Sequence, residues 1–279
     1  MTLRERIRRL RLYFRSGDVF REQLSAPAFA WRLPFMRAAT PVEVRFRSGR
    51  SLRMQAGQWP LLPSACRLER IGAEFEFLAD EKRVKVDGLT LHSPLWSRDE
   101  SSYYKEVLLD DAYGVKGCDL SGKTVVDVGA YIGDSALAFA RQGASVHAFE
   151  PSRTFCGFVR KNLEINGYAR QVTLHEVGLA EREHESVTRT DRLRFVEGIS
   201  YALAQLPRDI ELLKLDCEGA EYHLLADPRF LAHLRPRTIR MEYHRGAQPL
   251  VAHLERAGYV LDPVTAPGPV GLISARRIN

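Results

Sequence analysis

The apolar positions at the start of the chain follow a helical period. Residues 2 to 15 place Leu3, Ile7, Leu10 and Phe14 on one stripe, which predicts a helix. Six arginines surround this stripe. We favour an interpretation in which the stripe docks onto the rest of the protein, because charged faces exposed to solvent are common. Contact with an anionic membrane surface or with a nucleic acid backbone stays open.

Between residues 41 and about 95 the hydrophobic period changes to two. Residues 42–54 alternate apolar and polar positions around a turn signal, which predicts a β-hairpin. Residues 75–86 predict a second hairpin, and residues 89–91 a short strand after it. We therefore expect one small antiparallel β unit here.

From Thr124 onward, short apolar runs alternate with helical patterns, which predicts a mostly parallel, doubly wound α/β sheet. The strands are predicted at the run from Thr124 and at 145–149, 172–177, 210–215, 238–243, 259–261 and 270–275. The helices are predicted at 132–142, 151–166, 218–226 and 250–257. Residues 181–195 are strongly charged and are predicted to be a surface loop. The last two strands are candidates for an antiparallel edge pair.

A glycine-rich turn follows the first predicted strand, at the place where such sheets bind nucleotide-like ligands. Its sequence, Asp127-Val-Gly-Ala-Tyr-Ile-Gly133, lacks the glycine spacing of a dinucleotide fingerprint and the Gly-Lys-Ser/Thr of a P-loop. Asp127 suits a cationic amino group, and the two glycines let a ligand lie close to the backbone. A ligand with an amine, a carboxylate and a ribose but no phosphate would suit this turn, and S-adenosylmethionine is one.

Glu150 ends the second predicted strand, one helix and one strand after Asp127. A carboxylate at this place can accept hydrogen bonds from both hydroxyls of a ribose. Gly178, at the end of the third strand, could let an adenine edge meet backbone groups. The alternative is a flavodoxin-like sheet that binds no cofactor.

Composition narrows the class of protein without choosing a function. The 279 residues carry a net charge of +6, so an acidic partner is permitted but not required. The four cysteines form no Cys-x-x-Cys pair, which fits a reducing cytosol, and we expect a cytoplasmic protein. No apolar run is long enough to span a bilayer.

Acidic residues and one histidine follow the fourth and fifth strands. Asp216 and Glu218 follow the fourth strand, and Glu242 and His244 end the fifth, two positions apart and therefore on one face. His244 is suited to take a proton near neutral pH. In a purely structural interpretation Asp216 caps a helix and Glu218 interacts with its dipole. No residue is assigned as a metal ligand, although these four side chains could form a hard-cation site.

Five segments of the chain resemble, in order, the motifs of the FkbM-type S-adenosylmethionine-dependent methyltransferases. They are Asp127–Asp134, Phe149–Pro151, Lys161–Asn166, Lys214–Glu221 and Glu242–His244. The Lys-x-Asp-x-Glu-Gly-Ala-Glu segment is the most specific, and Tyr131 stands where the family usually has Asn. The resemblance covers roughly residues 110 to 261. It implies a Rossmann-like methyltransferase fold and O-methylation of a hydroxyl on a sugar or secondary metabolite.

These observations lead to one set of predicted site residues and domains. The residues expected to bind the cofactor are Asp127, Gly129, Ala130, Tyr131, Gly133, Asp134, Ser135, Glu150, Pro151, Gly178 and Asp216. The expected catalytic residues are Asp216, His244 and Glu218. We expect a basic helical arm over residues 1–40, a small β appendage over 41–105 and the methyltransferase domain over 106–279.

Two other functions stay open at this point. The arginine-rich helix permits an RNA methyltransferase, although a small-molecule or glycan acceptor is favoured over nucleic acid. A scaffold that keeps the fold without catalysis is the other alternative. The methyl acceptor and the oligomeric state do not follow from the sequence.

Overall fold

A computed structural model describes residues 7, 10, 11, 13–95, 100–188, 191–263 and 268–278. Most of the predicted basic helix at residues 2 to 15 therefore lies outside the described residues. The chain divides into two compact units, which are taken separately below. The first contains Met1–Leu89 and Pro94–Lys105, and the second contains Thr90–Ser93 and Glu106–Asn279.

The first unit combines short helices with two small antiparallel sheets. Its helices are α1 (Gly17–Gln23), α2 (Pro27–Ala30), α3 (Leu62–Arg70) and α4 (Ser101–Tyr103), with 3₁₀ turns at Leu33–Phe35 and Ala56–Leu61. Its strands are β1 (Pro41–Arg45), β2 (Ser51–Gln55), β3 (Glu74–Phe77), β4 (Glu81–Val86) and β5 (Leu89–Pro94), of which residues 90–93 count with the second unit. The pairing of β1 with β2 and of β3 with β4 confirms both predicted hairpins.

The strands between residues 41 and 95 form two sheets, and helix α3, which was not predicted, lies between these sheets in the sequence. Leu62, Ala65, Cys66 and Leu68 of α3 are all buried. Their spacing of one to three positions follows a helical period. They join Phe20, Phe46 and other apolar side chains in the core of this unit.

The second unit is built on a seven-stranded sheet. Its strands are β6 (Thr124–Val128), β7 (Ser145–Phe149), β8 (Val172–His175), β12 (Leu212–Leu215), β13 (Thr238–Tyr243), β14 (Tyr259–Leu261) and β15 (Gly271–Arg277), in the order β14-β15-β13-β12-β6-β7-β8. Strands β13, β12, β6, β7 and β8 are parallel, whereas β15 is antiparallel to both β13 and β14. The predicted doubly wound sheet and its antiparallel edge pair are confirmed.

Helices connect these strands and cover the sheet. They are α5 (Asp134–Arg141), α6 (Arg153–Ile165), α7 (Gly198–Gln205), α8 (Ala220–Ala226), α9 (Pro228–Leu234) and α10 (Gln248–Arg256), and a π-helical turn spans Tyr104–Leu109 at the junction with the first unit. All four residues of β12 are buried, as is usual for a parallel strand covered on both faces. Within the described residues no helix is long and apolar enough to cross a membrane.

The prediction of a surface loop over residues 181–195 is wrong. Strands β9 (Gly178–Ala180), β10 (His184–Val187) and β11 (Arg192–Glu197) form a three-stranded sheet there, in the order β10-β11-β9. Strand β10 is largely exposed, and β11 buries little beyond Val196. His184 and Glu185 of β10 belong to the polar and charged run 181–185, and the alternation Arg192-Leu-Arg-Phe195 of β11 covers too few positions to stand out beside that run.

Candidate active site

The turn after β6 requires a glycine at position 129. Gly129 has a φ of +91°, and a Cβ atom at this position would lie 1.8 Å from the carbonyl oxygen of Asp216. Gly129 is therefore required by the close approach of the turns that follow β6 and β12. Gly133, with a φ of +88°, precedes helix α5, and Tyr131 between them also has a positive φ, of 50°.

Asp127 is fully buried and contacts a buried lysine rather than the open end of the sheet. The register of β6 and β12 pairs Asp127 with Lys214, and the Lys214 Nζ atom lies 3.1 Å from Asp127 Oδ1. Lys214 Nζ also donates a hydrogen bond of 2.6 Å to the Gly129 carbonyl. Burial opposes the charge on Lys214, but Asp127, Tyr113 and Asp216 outweigh it and raise the pKa of this lysine well above its usual range. The cationic amino group that Asp127 meets in this structure is thus that of Lys214.

Glu150 is buried at the end of β7 and faces the same turn. Its Oε2 accepts a hydrogen bond of 2.9 Å from the Tyr131 N–H, and its Oε1 accepts one of 2.8 Å from the Ser152 N–H. A carboxylate has about four lone-pair sites, so both oxygens keep capacity for further donors. Burial raises the pKa of Glu150 to about 7. A ligand that donates hydrogen bonds to Glu150 would stabilise its ionised form.

The remaining predicted cofactor residues surround these two carboxylates. Ser135 donates a hydrogen bond of 2.6 Å to Asp127 Oδ2, and the Ala130 N–H donates one of 2.9 Å to the Phe149 carbonyl. Asp134 is buried, and its burial raises its pKa to about 6. Gly178 lies against Pro151, since a Cβ atom on Gly178 would be 3.2 Å from the Cβ of Pro151.

The predicted catalytic residues meet at the ends of β12 and β13. Asp216, Glu242 and His244 each offer one ligand atom, and these three atoms lie within 4.8 Å of one another. Burial, together with the charge of Asp216, raises the pKa of Glu242 to about 7. The spacing of two between Glu242 and His244 thus places both side chains beside Asp216, as expected for one face of a strand.

His244 is held by a buried carboxylate on the helix that follows β12. Its Nδ1 atom lies 3.0 Å from Oε1 of Glu221, which is fully buried. Its Nε2 atom lies 3.7 Å from Asp216 Oδ1 and 3.8 Å from Glu218 Oε2. Burial lowers the pKa of His244, but the hydrogen bond with Glu221 and the nearby carboxylates outweigh it and raise that pKa.

Asp216 and Glu218 do not have the helix-capping and helix-dipole positions that a purely structural interpretation of the sequence gave them. The N-cap of α8 is Gly219, so Asp216 does not cap this helix. Glu218 precedes α8, has a φ of +55°, and leaves 81% of its side chain exposed. It is therefore the most loosely held of the predicted catalytic residues.

Lys214, Glu221 and Glu106 contribute to the site in roles that the sequence did not predict. Of these three, the sequence placed Glu221 among the acidic residues after the fourth strand, but it did not indicate its contact with His244. Lys214 was visible only as a charged residue within the apolar run Leu212–Leu215, which is a recognisable signal of a buried ion pair. Burial raises the pKa of Glu106, and the charge of Asp216 contributes, which places this carboxyl near the acidic end of the site. Glu106 lies in the π-helical turn, outside any motif.

Comparisons with known proteins give a family match within the second unit. Residues 196–261 match the family model of the methyltransferase FkbM domain. No curated protein matches the chain at a significant level. Among solved structures, the chain is similar to TYW2 of M. jannaschii in complex with AdoMet, with 14% identity, a TM-score of 0.44, and coverage of 73% of this chain and 89% of that one. It is also similar to magnesium protoporphyrin IX methyltransferase of Synechocystis PCC 6803 with bound SAM, with 16% identity, a TM-score of 0.45, and coverage of 64% and 82%.

The sheet, the turn at Gly129 and the family match define the class of the protein, an S-adenosylmethionine-dependent methyltransferase. More closely, the segment that matches the FkbM model runs from the end of β11 to β14 and includes the motifs Lys214–Glu221 and Glu242–His244, in agreement with the resemblance noted in the sequence. This segment contains Lys214, Asp216, Glu221, Glu242 and His244.

Proposed function

We propose that the protein transfers a methyl group from S-adenosylmethionine to a hydroxyl group of a sugar, glycan or small metabolite. The observation that carries this proposal is the common location of Glu150, Asp216 and His244. They follow the carboxyl ends of the parallel strands β7, β12 and β13 of the second unit, at the edge of the sheet where ligands of such sheets bind. One carboxylate can thus bind a ribose while the other two groups face an acceptor.

The residues of this site can bind S-adenosylmethionine, but the role of Asp127 differs from the one that the sequence suggested. Glu150 is a buried carboxylate held by two backbone N–H groups, with lone pairs left for the two ribose hydroxyls. Asp127 is paired with Lys214 and Ser135, so it shapes the turn rather than binding the cofactor's amino group. Tyr131, Pro151 and Gly178 lie around Glu150 and form the candidate surface for the nucleoside.

S-adenosylmethionine supplies a methyl group on a sulfonium, which is already activated for displacement. The protein therefore has to align the acceptor oxygen with the methyl carbon and remove a proton from the hydroxyl. Asp216 and His244 lie where they can accept this proton, and Glu221 keeps the imidazole oriented. As the new carbon–oxygen bond forms, the carbon–sulfur bond breaks and S-adenosylhomocysteine leaves.

Isothermal titration calorimetry tests the cofactor assignment directly. We expect S-adenosylmethionine and S-adenosylhomocysteine to bind one per chain and NAD not to bind. Glu150→Ala removes the ribose acceptor and should weaken binding of both at least 100-fold, since two hydrogen bonds to a charged group are lost. Glu255→Ala, which changes an exposed glutamate on α10, is the matched control and should bind as the wild type does.

Transfer itself is tested by incubating the protein and labelled S-adenosylmethionine with sugars, small-molecule alcohols and bulk RNA. Label in a hydroxyl compound supports the proposal. Label in RNA alone would replace the acceptor class by nucleic acid. Cofactor binding without transfer to any acceptor tested would favour a scaffold and contradict the proposal.

A further inference from the structure

The acidic end of the site has the side-chain composition of a divalent cation site. Asp216, Glu242 and His244 are the one group of three potential ligands that converges within the described part of the chain, with all three ligand atoms within 4.8 Å. Ligand atoms around a bound divalent cation lie about 3 to 4.5 Å apart, because each is about 2.2 Å from the ion. A small closure of the three side chains would therefore complete such a geometry.

The imidazole is oriented as a metal-ligating histidine is. Histidines that bind metals almost always donate their second ring N–H to a carboxylate or carbonyl group. The Nδ1 atom of His244 contacts the fully buried Glu221, and Glu221 Oε2 is fixed in turn by a hydrogen bond of 2.8 Å from the Gly219 N–H. The Nε2 atom faces Asp216 at 3.7 Å, a distance longer than a hydrogen bond. In the neutral imidazole with its proton on Nδ1, the Nε2 atom has a lone pair that can bind a metal ion.

The buried cation beside these carboxylates, Lys214, is shared with other acceptors. Lys214 Nζ lies 3.1 Å from Asp127 and donates to the Gly129 carbonyl, but it is 3.9 Å from Asp216. One oxygen of Asp216 and one of Glu242 lie within 4.8 Å of each other. When both carboxyls are ionised they repel each other at this distance, and a cation between them would remove the repulsion.

We propose that Asp216, Glu242 and His244 bind one divalent cation of the Mn²⁺ or Mg²⁺ type, with Glu221 as the positioning residue for His244. Carboxylate oxygens suit both ions, and the imidazole ligand favours Mn²⁺ of the two. Three protein ligands leave coordination positions for an acceptor hydroxyl, whose proton is lost more easily beside a cation. This last step rests on the proposed methyl transfer, whereas cation binding itself does not.

Calorimetric titration of the full chain with MnCl₂, in the absence of S-adenosylmethionine, tests the proposal. We expect one ion per chain, and at least a tenfold loss of affinity in Glu242→Gln and in Asp216→Asn, which keep the shape of each side chain. Glu221→Gln should weaken Mn²⁺ binding less than His244→Ala does, because it disturbs only the orientation of the ligand. Glu255→Gln is the control on an exposed surface and should leave binding unchanged.

The outcomes separate this proposal from the proposed function. Mn²⁺ binding that is lost in Glu242→Gln but kept in Glu150→Ala supports the cation site, whether or not S-adenosylmethionine binds. Absence of Mn²⁺ binding in a wild-type protein that does bind S-adenosylmethionine would overturn the cation site alone. Equal Mn²⁺ affinity in the wild type and both isosteric variants would also overturn it. Circular dichroism at the titration temperature confirms that each variant is folded.

Discussion

Gly129 links the two halves of the candidate site at the scale of a single residue. It has a φ of +91°, and a Cβ atom there would collide with the carbonyl oxygen of Asp216. We expect Gly129→Ala to lower the free energy of unfolding by roughly 2–4 kcal/mol more than Gly122→Ala. Gly122 is a matched control, because its φ is +71° but nothing lies within 4 Å of its added Cβ atom. Urea denaturation measures both losses, and equal losses would show that the contact with Asp216 is unimportant.

The role of Asp127 shows what the sequence can and cannot indicate at this scale. Its position at the end of β6 follows from the hydrophobic pattern, and so does the position of Glu150 at the end of β7. The hydrophobic pattern does not reveal the partner of Asp127. Lys214 lies 87 positions further along the chain and contacts Asp127 only because β12 pairs with β6. Strand order is set by packing of the whole sheet, which local periodicity does not encode.

At the scale of a secondary-structure element, two asparagines of the Lys161–Asn166 motif connect helix α6 to strand β5. Asn162 is fully buried on α6, accepts a hydrogen bond from the His92 N–H, and donates to the carbonyls of His92 and Ile132. Asn166, one turn later, makes the same pair of bonds with the backbone of Thr90. Helix α6 thus satisfies backbone groups of β5 that lie within the second unit, as a neighbouring strand would.

Asn162→Leu should therefore cost more stability than the same change at Asn166. It removes the three hydrogen bonds that Asn162 makes with buried backbone groups, and we expect a loss of roughly 3 kcal/mol in the free energy of unfolding. Asn166 is only half-buried, so water can replace its amide in Asn166→Leu, and we expect about 1 kcal/mol there. Urea denaturation compares the two variants. A loss at Asn162 no greater than that at Asn166 would contradict this account.

Elements with a strong hydrophobic period were predictable, and those with mixed composition were not. Strands β7, β13 and β14 have the predicted bounds, because each contains β-branched or aromatic residues and lies between clear turn signals. The sheet of β9, β10 and β11 was missed because β10 lies in a polar and charged run and the apolar alternation of β11 is short. A strand whose side chains are mostly exposed is fixed by its backbone pairing, and that pairing leaves little trace in composition.

Buried ionisable groups give the molecule as a whole a characteristic dependence on pH. Burial raises the pKa of Glu150 to about 7 and that of Asp134 to about 6. Such acids hold a proton more tightly in the folded state, so their stabilising contribution is complete below the unfolded pKa and is lost as pH rises through the folded one. His175 acts in the opposite direction, because burial and the charge of His147 lower its pKa to about 4. The change of the total free energy of unfolding with pH therefore contains contributions of both signs.

Comparison of the wild type with Glu150→Gln isolates the contribution of Glu150. Because one pKa unit corresponds to about 1.4 kcal/mol, the wild type should lose roughly 3 kcal/mol relative to Glu150→Gln between pH 4.5 and pH 7.5. The glutamine side chain has one acceptor oxygen, so it can replace only one of the two hydrogen bonds from backbone N–H groups. This loss lowers stability equally at every pH and does not change the difference between the two pH profiles. Urea denaturation at four pH values measures it. If the free energies of unfolding of the two proteins change in parallel with pH, the pKa of Glu150 is not raised in the folded protein, and this account is wrong.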